Sequence, residues 1–335
     1  SKSLIACSFV INPFLIPISI TSLFFIAQSL INLVTFLSAG SLNYLSSMYA
    51  NIDFFYKYPD IQTINCQLNS LARNKAQSII FDDYEKEFLG KIIKNTDLES
   101  FLDEEINRLG NINIITSDYL KIVENTTRGI KLKLGNGDNI ETELFILSSA
   151  KKDIAEQVDI DFINKDLKQT ALSIDIEGNI KNENCAFQVF TSDGPLALLP
   201  YSKNKASIVW SLKNHSNILL KDEEELSEQI NKHLREYITS LKILSIERHK
   251  LQFSYAKNLC DRSIVILGNI AHNIHPIAGQ GLNLSIKDIA LFIHRMCKYT
   301  SLGYRTNNQI ILNEFEIKRK LDITSYSFGT FILEG

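Results

Sequence analysis

The sequence predicts a mixed α/β protein in which the segments of two domains interleave. A short apolar strand, residues 263–267, runs into a turn rich in glycine, and helical spacing of apolar residues follows from 286 to 297. A second stretch, residues 170–212, alternates apolar and polar side chains with the period of half-buried strands. No proline- or glycine-rich linker separates these parts, which favours interleaved domains over domains joined in tandem.

The N-terminal region is unusual because no side chain between Ser3 and Ile52 is charged. The stretch from Phe9 to Leu37 is long enough to cross a bilayer, although prolines and amide side chains interrupt it. Three interpretations stay open: a transmembrane or interfacial anchor, a buried strand–helix unit of a nucleotide-binding fold, or a degenerate remnant.

Helices and strands alternate through the middle of the chain. Ser38 or Ser41 is suited to cap a helix that follows residue 38, and a further helix is expected from Leu98 to Leu109. Asn136-Gly137-Asp138 is a hairpin turn signal. The expected strands are 112–116, 119–124, 129–134 and 142–148, followed by 171–176, 185–190, 194–202 and 206–212. Residues 222–243 are charged and are predicted to be helical.

Composition excludes several classes of protein. The chain has 335 residues, 45% of them hydrophobic and 22% charged, which is ordinary for a globular protein. A net charge of −3 gives no basic footprint for nucleic acid. The five cysteines are scattered, which fits a reducing compartment and therefore the cytoplasm. His272 and His275 are the only closely spaced histidines that suggest metal ligands, and they belong to the glycine-rich segment, so no metal site is predicted.

The segment from Gly268 to Leu284 reads G-N-I-A-H-N-I-H-P-I-A-G-Q-G-L-N-L. It closely resembles the G-D-A-A-H-x-x-x-P-x-x-G-Q-G-x-N motif of the FAD-dependent aromatic hydroxylases, and among them most of all the ubiquinone-biosynthesis hydroxylases. Further segments resemble the family at residues 35–45, 89–98, 194–200 and 207–210, so the resemblance extends from roughly residue 35 to 335.

The resemblance implies the architecture of para-hydroxybenzoate hydroxylase. In that architecture a Rossmann-like FAD/NAD(P)-binding domain is interleaved with a β-sheet substrate domain. On this basis residues 1–58, 90–165 and 250–335 form the FAD-binding domain, with an abnormal N-terminal part, and residues 59–89 and 166–249 form the substrate sheet.

The resemblance also implies a chemistry: FAD as cofactor, NAD(P)H as reductant, and a lipid-soluble prenylated phenol of ubiquinone biosynthesis as substrate. No catalytic side chain is expected, because the flavin carries the reaction. The residues carried over to the cofactor are Gly268, Asn269, Pro276, Gly279, Gln280, Gly281, Leu282 and Asn283. Those carried over to the substrate are Leu199, Pro200 and Trp210, with core packing as the other interpretation of Trp210. Such a substrate is compatible with peripheral association at the inner membrane and with a ubiquinone-biosynthesis complex as partner.

Three departures from the family motif keep a second function open. No G-x-G-x-x-G occurs near the N-terminus, where Cys7–Asn12 stands in its place. Lys151 and Lys152 replace a small, sharp turn, and Asn269 replaces an aspartate that accepts hydrogen bonds from the ribityl chain. A degenerate, non-catalytic homologue that binds FAD poorly is therefore the alternative to an active monooxygenase, and a membrane-anchored enzyme is a third interpretation.

Overall fold

The structure is a computed structural model that describes residues 4–9, 33–49, 52–68, 77–82, 88–109, 111–117, 119–148, 154, 156–273 and 280–320. Its strands are Leu4–Phe9, Val34–Ser38, Asp60–Ile61, Thr63–Leu68, Gln77–Phe81, Gly90–Lys94, Ile112–Ser117, Leu120–Thr126, Gly129–Leu134, Asn139–Thr142, Phe145–Leu147, Phe162–Ile180, Cys185–Thr191, Gly194–Ser202, Lys205–Lys213, Ile238–Ala256, Cys260–Asp261, Ile264–Ile266 and His272–Asn273. The α-helices are Ala39–Met48, Asp53–Tyr56, Asn95–Asn107, Glu223–Leu234, Gln280–Thr300 and 309–320, and Asn217–Leu220 and Gly268–Ile270 are short 3₁₀ turns.

The largest element is a sheet of eight strands, called the central sheet below. Four of its strands form the antiparallel middle: Ile238–Ala256, Phe162–Ile180, Lys205–Lys213 and Gly194–Ser202. Side chains on one face, such as Leu172, pack under the helix Glu223–Leu234 and form a compact apolar core. The opposite face turns toward a second, larger core built from the remaining helices and small sheets.

The residues after position 222 depart from the sequence prediction of one helix over 222–243. The helix ends at Leu234, and Ile238–Ala256 instead forms a 19-residue strand paired with Phe162–Ile180. Pairing with a neighbouring strand satisfies its backbone groups, and this outweighs the helix propensity of its charged residues. Both long strands cross domain boundaries predicted from the sequence, and the division into domains stays a prediction.

Smaller sheets build the other layer. Phe145–Leu147 pairs in parallel with Ile264–Ile266, the arrangement expected of a nucleotide-binding fold. Leu4–Phe9 pairs antiparallel with Ile112–Ser117. In the structure this first strand therefore does not join the parallel pair of Phe145–Leu147 and Ile264–Ile266. Most of the predicted anchor, residues 10–32, lies outside the described residues. None of the helices described is both long and apolar enough to cross a membrane.

The helix Gln280–Thr300 confirms the helical spacing predicted after the glycine-rich turn. Ile286 and Ile289 are buried in the larger core, as the apolar pattern requires. Phe292 meets Phe315 of the helix 309–320 edge to face, with ring centroids 5.3 Å apart. These contacts fix the direction in which the helix leaves the glycine-rich segment.

Candidate functional site

The candidate site begins at the turn that follows the buried strand Ile264–Ile266. Gly268 adopts a φ of +75°, a left-handed conformation that favours glycine. Its N–H donates to Asp288 Oδ2 at 3.3 Å, and its carbonyl accepts from Ala271 N at 2.8 Å. Gly268 therefore shapes the turn, and its backbone groups are already engaged within the protein.

Open space lies beside the first turn of the helix Gln280–Thr300. Among the described residues, a Cβ placed on Gly281 would meet no heavy atom within 4 Å, and the same holds for Gly40 in the helix Ala39–Met48. The first N–H groups of a helix lack partners within the helix, and this helix has no acidic residue in its first turn. In the part of the chain that the structure describes, the helix start therefore presents a positive dipole end with room beside it, which suits an anionic or electron-rich ligand.

Asn283 ties this helix start to the N-terminal part of the chain. Its Oδ1 accepts from Ser38 N at 2.9 Å and from Ser41 Oγ at 2.7 Å, and its Nδ2 donates to the carbonyl of Phe36 at 2.7 Å. Ser38 is the N-cap of the helix Ala39–Met48. Asn283 therefore holds two helix N-termini side by side through its own amide group.

A buried cluster of charged side chains lies behind the turn. His272 Nε2 lies 2.5 Å from Asp288 Oδ2, and Arg319 Nε donates to Asp288 Oδ1 at 2.6 Å. All three side chains are almost completely buried. Burial opposes ionisation of Asp288, but His272, Arg319 and the N–H of Gly268 together hold the pKa of its carboxyl below the ordinary value. Asp288 is thus a carboxylate inside the core.

Comparison with known proteins places this segment in a family. Residues 150–301 match the model of the FAD binding domain. The ubiquinone hydroxylase UbiL of Rhodospirillum rubrum is 22% identical over 238 residues, which are 70% of this chain and 56% of that protein. The 3-demethoxyubiquinol 3-hydroxylase of Escherichia coli is 24% identical over 252 residues, 73% of this chain and 64% of that protein. The chain thus spans between half and two thirds of the length of these relatives.

Solved structures agree in fold. The p-nitrophenol 4-monooxygenase PnpA of Pseudomonas putida superposes with a TM-score of 0.68 at 10% identity, covering 95% of this chain and 86% of that chain. The 2-methyl-3-hydroxypyridine-5-carboxylic acid oxygenase gives 0.66 at 12% identity, covering 91% and 84%. Residues 150–301 are thus similar to the FAD binding domain, and the fold of the chain is similar to that of these monooxygenases. The mixed α/β fold predicted from the sequence is therefore confirmed.

The residues that the family motif predicts to contact FAD differ in their burial and in their position along the chain. Gly281 adjoins open space, and the Leu282 side chain is buried in the core, so that only its backbone can face a ligand. Asn269 lies half-exposed in the turn after the strand. Gln280 opens the helix, whereas Pro276 and Gly279 lie outside the described residues. The roles of these residues toward FAD stay predictions.

The described residues fit the redox-ring end of FAD. A planar ring needs a slot without side chains and donors for its electron-rich edge, and Gly281 with the adjoining helix N-terminus offers both. FAD, when bound, supplies the redox and oxygen chemistry that protein side chains lack. Half of the segment predicted to replace the pyrophosphate-binding turn, residues 10–12, lies outside the described residues, as do Lys151 and Lys152.

The predicted substrate residues fall on two different faces of the central sheet. Leu199 is half-buried and packs against the larger core, whereas Pro200 is buried and pairs with Ala206, which belongs to the compact core on the other face. Trp210 is fully buried on the opposite face, where its ring lies 5.8 Å from that of His233. The alternation of side chains along a strand separates these residues. Trp210 is therefore packed in the core, as the packing interpretation has it, and a role toward substrate stays a prediction.

Replacing Trp210 with alanine should lower the free energy of unfolding by about 3–5 kcal/mol, because it opens a large cavity under the helix Glu223–Leu234. Trp210 is the only tryptophan, so unfolding in denaturant should be followed by circular dichroism. In Trp210→Phe, which keeps most of the packing, the KM for a phenolic substrate should match that of the unaltered chain. A selective rise in KM in Trp210→Phe would return this residue to the substrate site.

A second polar cluster joins the central sheet to the larger core. Tyr201 Oη donates to Asp175 Oδ1 at 2.6 Å, and Lys94 Nζ lies 3.4 Å from Asp175 Oδ2 and 5.3 Å from the centre of the Tyr201 ring. Burial, followed by the hydrogen bond to Asp175, raises the pKa of the Tyr201 phenol far above 10.0. These contacts hold the strand Gly90–Lys94 against the sheet.

This raised pKa predicts a loss of stability in alkali. The unfolded chain releases the Tyr201 proton above its ordinary pKa of 10.0 while the folded chain keeps it, so stability falls as pH rises beyond that value. Tyr201→Phe should flatten the decline measured by denaturant unfolding between about pH 8 and 11. Tyr56→Phe is the control, because Tyr56 is 71% exposed. Equal slopes in the unaltered chain and in Tyr201→Phe would contradict this role.

The charged cluster around Asp288 was not predicted from the sequence. One signal was present: Asp288 is an acidic residue next to Ile289 and two positions after Ile286, inside the apolar pattern of the helix. An acidic residue there requires a buried partner. Among the described residues, no group of three His, Cys, Asp or Glu side chains could hold a metal ion.

Proposed function

We propose that this chain is an FAD-dependent monooxygenase that uses NAD(P)H and hydroxylates a prenylated phenol in ubiquinone biosynthesis. The observation that carries the proposal is the open space beside Gly281, among the described residues, at the start of the helix Gln280–Thr300. Support for the substrate comes from the names of the relatives, a ubiquinone hydroxylase and a 3-demethoxyubiquinol 3-hydroxylase.

In this proposal the chain binds and orients, and no side chain acts as nucleophile. The backbone N–H groups that open the helix at Gln280, Gly281 and Leu282 would bind the electron-rich edge of the cofactor ring. Asn269 would accept hydrogen bonds from the ribityl chain through its amide oxygen. Without a formal charge this acceptor is weaker than an aspartate by about 1–2 kcal/mol.

The substrate would lie between that ring and the central sheet. Leu199 turns from the sheet toward the larger core, and Val209, on the same sheet face, is buried as well. Apolar side chains on this face would contact the prenylated phenol and exclude water from the reacting carbon.

A chain that keeps the fold but no longer binds FAD well is the second candidate. Asn269 in place of an aspartate favours it, as does the antiparallel pairing of Leu4–Phe9 with Ile112–Ser117. A variant anchored to the membrane would be a form of the first candidate, and peripheral association would bring it to a lipid-soluble substrate.

The test supplies the purified chain with FAD, NAD(P)H, isotopically labelled oxygen gas and a prenylated phenol. The expected product is heavier than the substrate by one labelled oxygen atom. Heat-inactivated protein and a reaction without NAD(P)H are the controls. Absence of labelled product in a chain that does bind FAD would overturn the proposed reaction while leaving the cofactor site intact.

A further inference from the structure

The carboxylate of Asp288 connects both ends of the turn to one helix. Its Oδ2 accepts from Gly268 N, at the start of the turn, and contacts His272 Nε2, in the short strand that follows. Asp288 itself lies two turns into the helix Gln280–Thr300. The side chain of Asp288 therefore joins the helix Gln280–Thr300 to the turn that precedes it in the chain.

Arg319 comes from a distant part of the chain and holds the other oxygen of Asp288. Its Nε lies 2.6 Å and its Nη2 2.5 Å from Oδ1, and Arg319 is 1% exposed. Replacing a buried ion pair with apolar residues of similar volume is often neutral or stabilising, so stability alone does not explain these charges. A buried charge network does impose one geometry, because any other arrangement leaves a charge without its partner.

The orientation of His272 depends on this network. Its Nε2 faces an ionised carboxylate and therefore carries the proton of that hydrogen bond. Its Nδ1 is buried and has no hydrogen-bond partner among the described residues. Among the described residues, the bond to Asp288 is therefore the polar contact that fixes the imidazole, and with it the backbone of the short strand His272–Asn273.

We propose that Asp288, held by Arg319, is a positioning residue that sets residues 268–273, the described start of the glycine-rich segment, at a fixed place relative to the helix Gln280–Thr300. The importance of this place for cofactor binding rests on the proposed function. Asp288 does not touch the cofactor in this proposal and acts through Gly268 and His272.

The first test needs no FAD. His272→Phe removes the donor to Asp288, keeps much of the ring volume and leaves the pair Asp288–Arg319 intact. Hydrogen exchange of residues 264–273 in the intact protein should accelerate about tenfold or more, while exchange of the helix Glu223–Leu234 stays unchanged. Leu226→Ala is the matched control, because Leu226 is fully buried in the other core and should produce the reverse pattern.

A conservative variant separates positioning from packing. Glutamine at position 272 can place an amide N–H near the position of the imidazole Nε2–H, so His272→Gln should restore slow exchange at least in part. It also serves if the phenylalanine variant does not fold. Unchanged exchange of residues 264–273 in His272→Phe, or acceleration spread evenly over the whole chain, would overturn the proposal. Exchange of residues 264–273 that is as fast in His272→Gln as in His272→Phe would also overturn the proposal.

The second test adds FAD to the same proteins. The dissociation constant should rise about tenfold or more in His272→Phe and stay within about twofold in Leu226→Ala. Equal constants in His272→Phe and the unaltered chain would overturn the positioning role. If the unaltered chain binds no FAD, the proposed function fails, and the exchange measurement alone then decides whether Asp288 positions the segment.

Discussion

Gly281→Val should weaken FAD binding by about 100-fold without destabilising the protein. The valine side chain would fill the open space beside the helix start, where no atom of the described residues lies within 4 Å of an added Cβ. Overpacking of a ligand slot typically costs about 1–3 kcal/mol, which corresponds to roughly a 5- to 150-fold change in affinity. Stability should not fall, because valine is a better helix former than glycine. FAD titration and thermal unfolding without FAD measure the two effects.

The control for this variant is His294→Val in the same helix. His294 is exposed and lies more than three turns from Gly281. The His294→Val variant introduces the same β-branched side chain away from the space beside the helix start. Its FAD affinity should therefore equal that of the unaltered chain. If Gly281→Val binds FAD as tightly as His294→Val does, the ring is not bound at this helix start.

Asn283→Ala should lower the free energy of unfolding of the protein without FAD by about 3 kcal/mol, because it removes three hydrogen bonds of about 1 kcal/mol each. The bonds lost are those to Phe36, Ser38 and Ser41, which join the helix start to the N-terminal part of the chain. Denaturant unfolding gives the value directly. FAD affinity should fall as well, because the two helix starts lose their alignment.

Ser41→Ala is the graded control for Asn283. It removes a single donor to Asn283 Oδ1 and should cost about 1 kcal/mol. A loss of FAD affinity in Asn283→Ala with no change in stability would show that the amide contacts the cofactor itself, as the family motif predicts.

The sequence was sufficient where local pattern decides structure. The helix after the glycine-rich turn, the strand before it and the paired strands around residue 204 all follow from apolar spacing and turn residues. Either Ser38 or Ser41 was predicted to cap the helix Ala39–Met48, and the structure shows that the cap is Ser38, whose side chain accepts from Ser41 N.

Contacts between distant residues could not be read from the sequence. The bond from Arg319 to Asp288 spans 31 residues, and the periodic pattern carries no information about such a pair. Ile238–Ala256 was predicted in part as a helix because its charged residues obscure the pairing that makes it a strand. The face on which Trp210 lies depends on the register of the central sheet, and one residue of shift would reverse it.

The most direct measurement is the visible absorption spectrum of the purified chain as FAD is added. We predict a bound flavin with a perturbed spectrum that stays with the protein through gel filtration, and its loss in Gly281→Val but not in His294→Val. A colourless protein that remains colourless after FAD addition and gel filtration would contradict the cofactor site at the start of the helix Gln280–Thr300.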